Sequence, residues 1–378
     1  MTKSLRIVQM IDDLEIGGAE KLVVSLARQA GAVGLDLTVA SLNSAFDQVI
    51  LDELKACGVT YAFFPAAHLL DLKRLVRLTR YLRRGGFDLV QCHLGYANIV
   101  GVLAARAAGL PVIGTLHSTG NLADYPHPAI LWLEGQILRH LAQRIIAVGQ
   151  TVAEAFRPRL APREIQIIVN PASPPVSLTP EQRRAVRQEM GCDDSCPMLI
   201  SVGRFAPPKG YHDLIEALSL LQQTHPNFVM LMAGDGPLFD EIRQAALQKG
   251  LEGQIRFLGF RDDVPLLLAA SDIFVSSSHW EGLPLAVLEA MQAGLPVVAT
   301  AVGDIPHIVA QDAGLIVPPH APPRLAEAIA SLLDSPSRRT EMGRAAQARV
   351  RQEYSAEAWI QKMMHLYTEV LSEEGRTR

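Results

Sequence analysis

Cysteine is scarce in this chain: four among 378 residues, at positions 57, 92, 192 and 196. A set this small and scattered excludes a disulfide framework and leaves a reducing cytoplasm as the expected compartment. Cys192 and Cys196 bracket CDDSC, but no second Cys or His pair stands beside them, so zinc is not expected there. Excess positive charge is absent too. The 35 Lys and Arg residues stand against 39 Asp and Glu, which disfavours nucleic acid as the main partner. No apolar run reads as a leader or a membrane span. Leu5–Ile11 is too short for a signal segment and runs straight into Asp12 and Asp13. The stretch 282–302 is apolar, yet Glu289, Gln292, Pro284 and Pro296 resolve it into helix, turn and strand. The acidic pairs Asp12–Asp13, Asp193–Asp194 and Asp262–Asp263 gather no third ligand, and no DxD motif occurs, so no metal is expected. A GxGxxG fingerprint is also missing, which disfavours a nicotinamide; no cofactor is expected.

What is present fits a soluble globular chain long enough for two cores, 49% hydrophobic and 20% charged. Strand-like runs at 5–11, 35–42, 59–64, 88–94, 111–117, 144–150 and 165–170 alternate with helical patterns at 19–30, 70–83 and 97–108. Short buried strands alternating with helices predict a parallel sheet covered on both faces. A proline-rich stretch, Asn170–Pro180, breaks this rhythm and reads as a linker. The pattern then restarts, with strands expected at 198–205, 228–234, 255–260, 272–278, 295–302 and 314–319. The expected architecture is α/β: two Rossmann-like, doubly wound parallel-sheet domains, 1–174 and 175–357, facing an interdomain cleft. The final helical pattern carries Trp359 and Leu366, and segment 358–378 is a candidate to return to the first domain.

Ligands of such sheets sit beyond the carboxyl ends of the strands, so the strand-to-helix turns matter most. The most informative is Ser278–Gly294, SHWEGLPLAVLEAMQAG. Leu285, Leu288 and Met291 recur on one helical face, Pro284 suits the first helical position, and Gly294 supplies a left-handed stop. Glu281 falls in the turn, and Glu289 is the only ionisable residue between Gly282 and Val302. A helix start favours a phosphate, and a carboxylate on each side suits the hydroxyls of a sugar and a ribose. Taken alone, Glu289 fits a solvated helix face equally well. In RFAPPKG, Arg204 and Lys209 bracket a proline-stiffened turn and suit a diphosphate. Gly17 and Gly18 precede a helix, where they permit close approach of an anion or simply make a tight turn. Gly234 opens another turn, with Pro237 expected at a first helical position. His117 ends a strand where it can hydrogen-bond a substrate hydroxyl. A basic helix over 70–84 carries Lys73, Arg77, Arg80 and Arg84 opposite Leu75, Leu78 and Leu82; it is either a solvated face or a weak contact for anionic lipid.

Taken together, GGAE (17–20), TLH (115–117), SVGRFAPPKGYHDLIEAL (201–218), MAGDGPL (232–238), IRFLGFRDDV (255–264) and SSSHWEGLPLAVLEAMQAGLPVVAT (277–300) resemble glycosyltransferase family 4, the glycosyl transferases group 1, whose fold is GT-B. The motifs occur in family order. The resemblance implies a retaining, metal-independent glycosyltransferase that moves a sugar from a nucleotide diphosphate sugar to a saccharide or lipid-linked acceptor, in surface polysaccharide or lipid-linked saccharide assembly. It implies Glu281 on the transferred sugar, with main-chain N–H groups of Gly282, Leu283, Pro284 and Leu285 near sugar and phosphate. Glu289 would hold the ribose, Arg204 and Lys209 the diphosphate, and Leu258 the base. Gly17, Gly18 and Gly234 complete the implied donor set, and His117 would lie beside the reacting sugar. The chain departs from the family where Gly303 is followed by Asp304, Ile305, Pro306 and His307 in place of a glycine-glycine-x-x-glutamate run. Ser118 replaces a usual acid, and Asn170-Pro171 replaces Asn-Gly. A nucleotide-sugar epimerase of the same fold, or a non-catalytic binding subunit, is the alternative.

Overall fold

The structure, a computed structural model, describes residues 4–15, 17–118, 128–173 and 175–377, with side chains through Glu373. Two compact units are formed, Met1–Pro171 with Glu357–Arg378, and Ala172–Ala356. In the first, β1 (Leu5–Ile11), α1 (Gly18–Ala30), β2 (Leu35–Ser41), α2 (Gln48–Ala56), β3 (Thr60–Phe63), α3 (Leu72–Arg84) and β4 (Leu89–His93) follow in turn. They lead on to α4 (Gly95–Ala108), β5 (Val112–Leu116), α5 (Pro128–Leu141), β6 (Arg144–Ala147), α6 (Gln150–Leu160) and β7 (Gln166–Ile167). The second unit runs α7 (Pro180–Glu189), β8 (Met198–Val202), α8 (Tyr211–Thr224), β9 (Val229–Ala233), α9 (Phe239–Gln248), β10 (Ile255–Gly259) and α10 (Val264–Ala270). It continues through β11 (Ile273–Ser276), α11 (Leu285–Gln292), β12 (Val297–Thr300), α12 (Ile305–Ala313), β13 (Gly314–Val317), α13 (Pro322–Leu333) and α14 (Pro336–Glu353). A last helix, α15 (Ala356–Thr377), packs with the first unit.

Both sheets are parallel. Their strand orders are β3-β2-β1-β4-β5-β6-β7 and β10-β9-β8-β11-β12-β13. Chain direction across each sheet reverses once, between β1 and β4 and between β8 and β11, and these switch points are where such sheets bind ligands. The strands beside them are buried on both faces, as the near-continuous apolar runs require. Trp359, Ile360, Met363, Leu366, Tyr367 and Val370 of α15 join Ile7, Ile11, Leu89 and Ile113 in one core, so the helix covers one face of the first sheet. Arg144 fastens its outer side to Glu369 at 3.0 Å and to Glu373.

Within the second unit Arg187 is buried although it is charged. Its guanidinium donates to the carbonyls of Ala270 at 3.0 Å and Asp193 at 2.9 Å and to Asp272 Oδ2 at 3.0 Å. CDDSC forms a turn in which Asp193 Oδ1 accepts the N–H groups of Ser195 and Cys196 at 2.8 and 2.9 Å. Two expectations for helix starts are corrected. Helix α11 begins at Leu285, with Pro284 one residue before it at ψ 77°. Pro237 lies in a turn two residues ahead of Phe239, because Gly236 at φ 155° directs the chain away from a helical path. Gly294 does stop α11 in the left-handed region, at φ 82°. Among the described residues no helix is long and apolar enough to cross a membrane.

Candidate functional site

At the second unit's switch point, the turns after β8 and β11 meet. Glu281 is buried to 9% exposure, which for a carboxylate demands partners. Its Oε1 receives Lys209 Nζ at 2.6 Å and Ser278 Oγ at 2.6 Å. The two turns are sewn together by main-chain groups: His279 N–H donates to the Pro208 carbonyl at 2.8 Å, and Ser277 Oγ to that of Lys209 at 2.9 Å. Glycine is required twice. Gly210 has φ 60°, and a Cβ there would stand 2.2 Å from the Ser277 carbonyl oxygen. Gly303 has φ 53°, and its Cβ would stand 2.4 Å from the carbonyl oxygen of Glu281. The glycine that precedes the departure from the family run therefore lies directly against the carboxylate turn.

The other expected donor residues are placed as follows. Glu289 accepts a hydrogen bond from Ser173 Oγ at 2.9 Å, so a residue of the linker stands at the carboxylate assigned to a ribose. Of the four expected main-chain donors, Pro284 has no N–H, and that of Leu285 is turned back to the Leu283 carbonyl at 3.0 Å. Those of Gly282 and Leu283 make no main-chain hydrogen bond among the described residues. Arg204 is exposed and makes no ion pair among the described residues, whereas Lys209 is engaged with Glu281. Gly234 serves the scaffold: at φ 139°, a Cβ would lie 2.0 Å from the Gly203 carbonyl oxygen. Leu258 lines a cavity of about 870 Å³ bounded by Phe239, Arg243 and Arg256, at the sheet edge rather than at the β8–β11 switch point.

The first unit holds a second cluster at the β1–β4 switch point. Gln9 Nε2 donates to Gln91 Oε1 at 3.3 Å, leaving Gln9 Oε1 to accept from His93 Nε2 at 2.6 Å. His93 Nδ1 then accepts from His117 Nε2 at 2.9 Å, and His117 Nδ1 keeps its lone pair. Tyr367 of α15 braces the far end, taking a hydrogen bond from Gln9 and giving one to Gln91. Burial holds His117 neutral, lowering its pKa to about 4, and drives His93 well below the ordinary value. His117 lines a cavity of about 150 Å³ with Asp12, Tyr96, Ser118 and Glu134. Asp12 caps α4, accepting the N–H groups of Ala97 at 2.6 Å and Tyr96 at 3.2 Å. Burial nevertheless raises its pKa to about 7. Gly17 is the cap residue of α1, and Glu20 folds back so that a Cβ on Gly17 would meet its Oε2 at 2.3 Å. Burial raises Glu20 to about 7 as well, so a phosphate at Gly17 and Gly18 competes with the chain's own carboxyl.

These shifts oppose one another in acid. Below pH 6.5 the unfolded chain protonates His117 while the fold does so only near 4, so stability falls as pH falls through that window. Asp12 does the reverse: its folded form keeps a proton up to about pH 7, and the stability this brings is lost as pH rises. Asp12→Asn is therefore expected to steepen the acid-side loss of stability between about pH 6.5 and 4.5, by up to ~1.4 kcal/mol per pH unit for the one proton. Urea unfolding across that range measures it, and an unchanged slope would refute the raised carboxyl.

Signals for several of these residues were absent from the linear pattern. Gly303 stands beside Glu281 only through the fold, and Gln9, His93 and Tyr367 join the His117 cluster from separate elements.

Comparison with known proteins bears on the family and the fold. Residues 16–174 match the family described as Glycosyltransferase Family 4, and residues 182–349 match Glycosyl transferases group 1. The chain is 30% identical over 322 residues to D-inositol 3-phosphate glycosyltransferase of Corynebacterium efficiens, covering 78% of this chain and 74% of that one. It is 28% identical to alpha-D-kanosaminyltransferase of Streptomyces kanamyceticus, covering 78% and 81%. Among solved structures, Anabaena HepE in complex with UDP superposes with a TM-score of 0.84 at 23% identity, over 97% of this chain and 100% of that one. Sucrose-phosphate synthase from Thermosynechococcus elongatus gives 0.76 at 22% identity, over 97% and 100%. The fold is GT-B.

Proposed function

The chain belongs to glycosyltransferase family 4, the glycosyl transferases group 1, whose members act on nucleotide sugars, and we propose that it transfers a sugar from a nucleotide diphosphate sugar to an acceptor hydroxyl with retention of configuration and no metal ion at the diphosphate. The observation that carries this reading is the Lys209–Glu281 pair at 2.6 Å at the β8–β11 switch point. A lysine balanced on a buried carboxylate is a preorganised cation. When a diphosphate arrives it shares its charge with the departing phosphate oxygen, where negative charge grows in the transition state. The N–H groups of Gly282 and Leu283 and the exposed Arg204 add donors to the same end. Glu281 Oε2 is left to accept hydroxyls of the sugar, and Glu289 exchanges the Ser173 hydroxyl for those of the ribose.

In the reaction the bond from the anomeric carbon to the phosphate oxygen breaks and one to the acceptor oxygen forms on the same face. The acceptor's proton passes to the leaving phosphate oxygen, so no dedicated base is needed. His117, neutral and with Nδ1 bare, accepts a hydroxyl hydrogen bond and orients it. The acceptor class is a saccharide or lipid-linked saccharide, consistent with assembly of surface polysaccharide in the cytoplasm. Helix α3 is assigned a weak contact with an anionic membrane: Lys73, Arg77, Arg80 and Arg84 are exposed, with Leu70 60% and Leu72 71% exposed nearby.

A panel of UDP-, GDP- and ADP-sugars scored by thermal unfolding tests the donor assignment. The matching donor at 100 times its Kd is expected to add ~2.7 kcal/mol, and Glu289→Ala to shrink that gain. Stabilisation by none of them would sink the reading. Formation of an epimeric nucleotide sugar without acceptor would replace transfer by isomerisation.

A further inference from the structure

Three turns of the second unit converge beside the donor site and bring together side chains for which the transfer reaction has no use. Asp213 lies in the first turn of α8, His279 follows β11, and His320 precedes α13. His279 Nε2 stands 2.8 Å from Asp213 Oδ2, and His320 Nδ1 stands 3.8 Å from the same oxygen. One ligand atom from each residue lies within 4.8 Å of the others. A tetrahedral zinc ion with bonds near 2.0–2.1 Å separates its ligand atoms by about 3.3 Å, between the two measured spacings. The two distances to Asp213 thus bracket the spacing that such an ion sets.

The backbone is shaped around this trio. A Cβ on Gly210 would come within 2.8 Å of His279 Cδ2 and Nε2, so only glycine leaves room for the imidazole. His320 is held at φ 55°, an uncommon conformation for a residue with a side chain, and its ring lies 3.9 Å from that of His279, centroid to centroid.

We propose that Asp213, His279 and His320 form a binding site for a divalent transition-metal ion of the zinc class. Two imidazoles and a carboxylate select such an ion over magnesium or calcium, which prefer oxygen, and three protein ligands leave a fourth position for solvent. The ion takes no part in the transfer chemistry. His279 and Trp280 both donate main-chain hydrogen bonds to the Pro208 carbonyl, and Lys209 is the next residue, so the ion clamps the α13 turn to the turn that aims Lys209 at Glu281.

The test uses the full chain, free of any polyhistidine tag and stripped with a chelator, titrated with ZnCl₂ and separately with CoCl₂. Expected are one equivalent of Zn²⁺ bound by calorimetry, a raised unfolding temperature, a change in Trp280 fluorescence, and a tetrahedral Co²⁺ absorption band. His320→Ala removes an exposed ligand without touching the core. Asp213→Asn replaces the carboxylate with a poor ligand. Each should weaken Zn²⁺ by more than the roughly 10–100-fold that loss of an outer-shell partner costs. Failure of the wild type to bind Zn²⁺ stoichiometrically, equal binding of Mg²⁺, or undiminished Zn²⁺ binding in both variants would each overturn the site. None of these readouts involves donor or acceptor, so the result stands apart from the transfer reading.

Discussion

Lys209→Ala is expected to reduce turnover by ~10²–10³ while the protein stays folded. The side chain is 26% exposed, and its ion pair with Glu281 bridges two turns that also hold each other through main-chain groups. Removing the lysine therefore leaves the turns in place. What is lost is a cation set where the departing phosphate gathers charge, an interaction that strengthens in the transition state. The loss should fall mainly on kcat, with a smaller effect on donor affinity. Glu281→Gln is expected to act at the other end. It keeps shape and a hydrogen bond to Ser278 but withdraws the charge that holds Lys209 and the acceptor oxygen offered to sugar hydroxyls. Steady-state kinetics on both variants, with circular dichroism to confirm the fold, decide the matter. Near-normal kcat in both would leave the proposed site without its chemistry.

A second large effect is expected far from that pair. Arg187→Ala should cost the second unit about 3 kcal/mol, because a side chain 2% exposed carries hydrogen bonds to main-chain carbonyls of three residues and an ion pair to Asp272. Its removal strands buried carbonyls and takes from Asp272 one of two arginine partners, leaving Arg183 at 2.7 Å. Asp272 also accepts the Met198 N–H at 2.8 Å, so it fixes the starts of β8 and β11 together, the two strands that flank the switch point. Urea unfolding followed through Trp280 reports on this unit. A loss below about 1 kcal/mol would place Arg187 among ordinary surface pairs.

The two residues differ in how much of their role the sequence discloses. Glu281 and Lys209 each stood out in the sequence as a charge in a strand-to-helix turn, but that the two pair with each other did not, because they lie 72 residues apart. Alternation of apolar runs and the proline-rich break likewise made both sheets legible, since buried parallel strands leave a strong local signal. Arg187 sits in PEQRRAVRQE, a helix whose charges read as solvated, and nothing local tells its guanidinium from that of Arg183 or Arg184. The same holds in α3. Lys73, Arg77, Arg80 and Arg84 are exposed as expected, but Arg74 is buried against the carbonyls of Leu42 and His68. The His93–His117 relay and the trio of Asp213, His279 and His320 assemble residues from turns that only strand order brings together. Strand order lies beyond what periodicity encodes.

The return of α15 to the first sheet has a consequence for synthesis. Ile7, Ile11, Leu89 and Ile113 leave the ribosome early, but Trp359, Met363 and Leu366, which share their core, follow only after residues 172–356 have been made. Throughout that interval the nascent amino-terminal half lacks part of the layer that covers it, while the intervening residues form a compact unit of their own. Nascent chains stalled before residue 357 should accordingly recruit holding chaperones, and release past the last helix should discharge them.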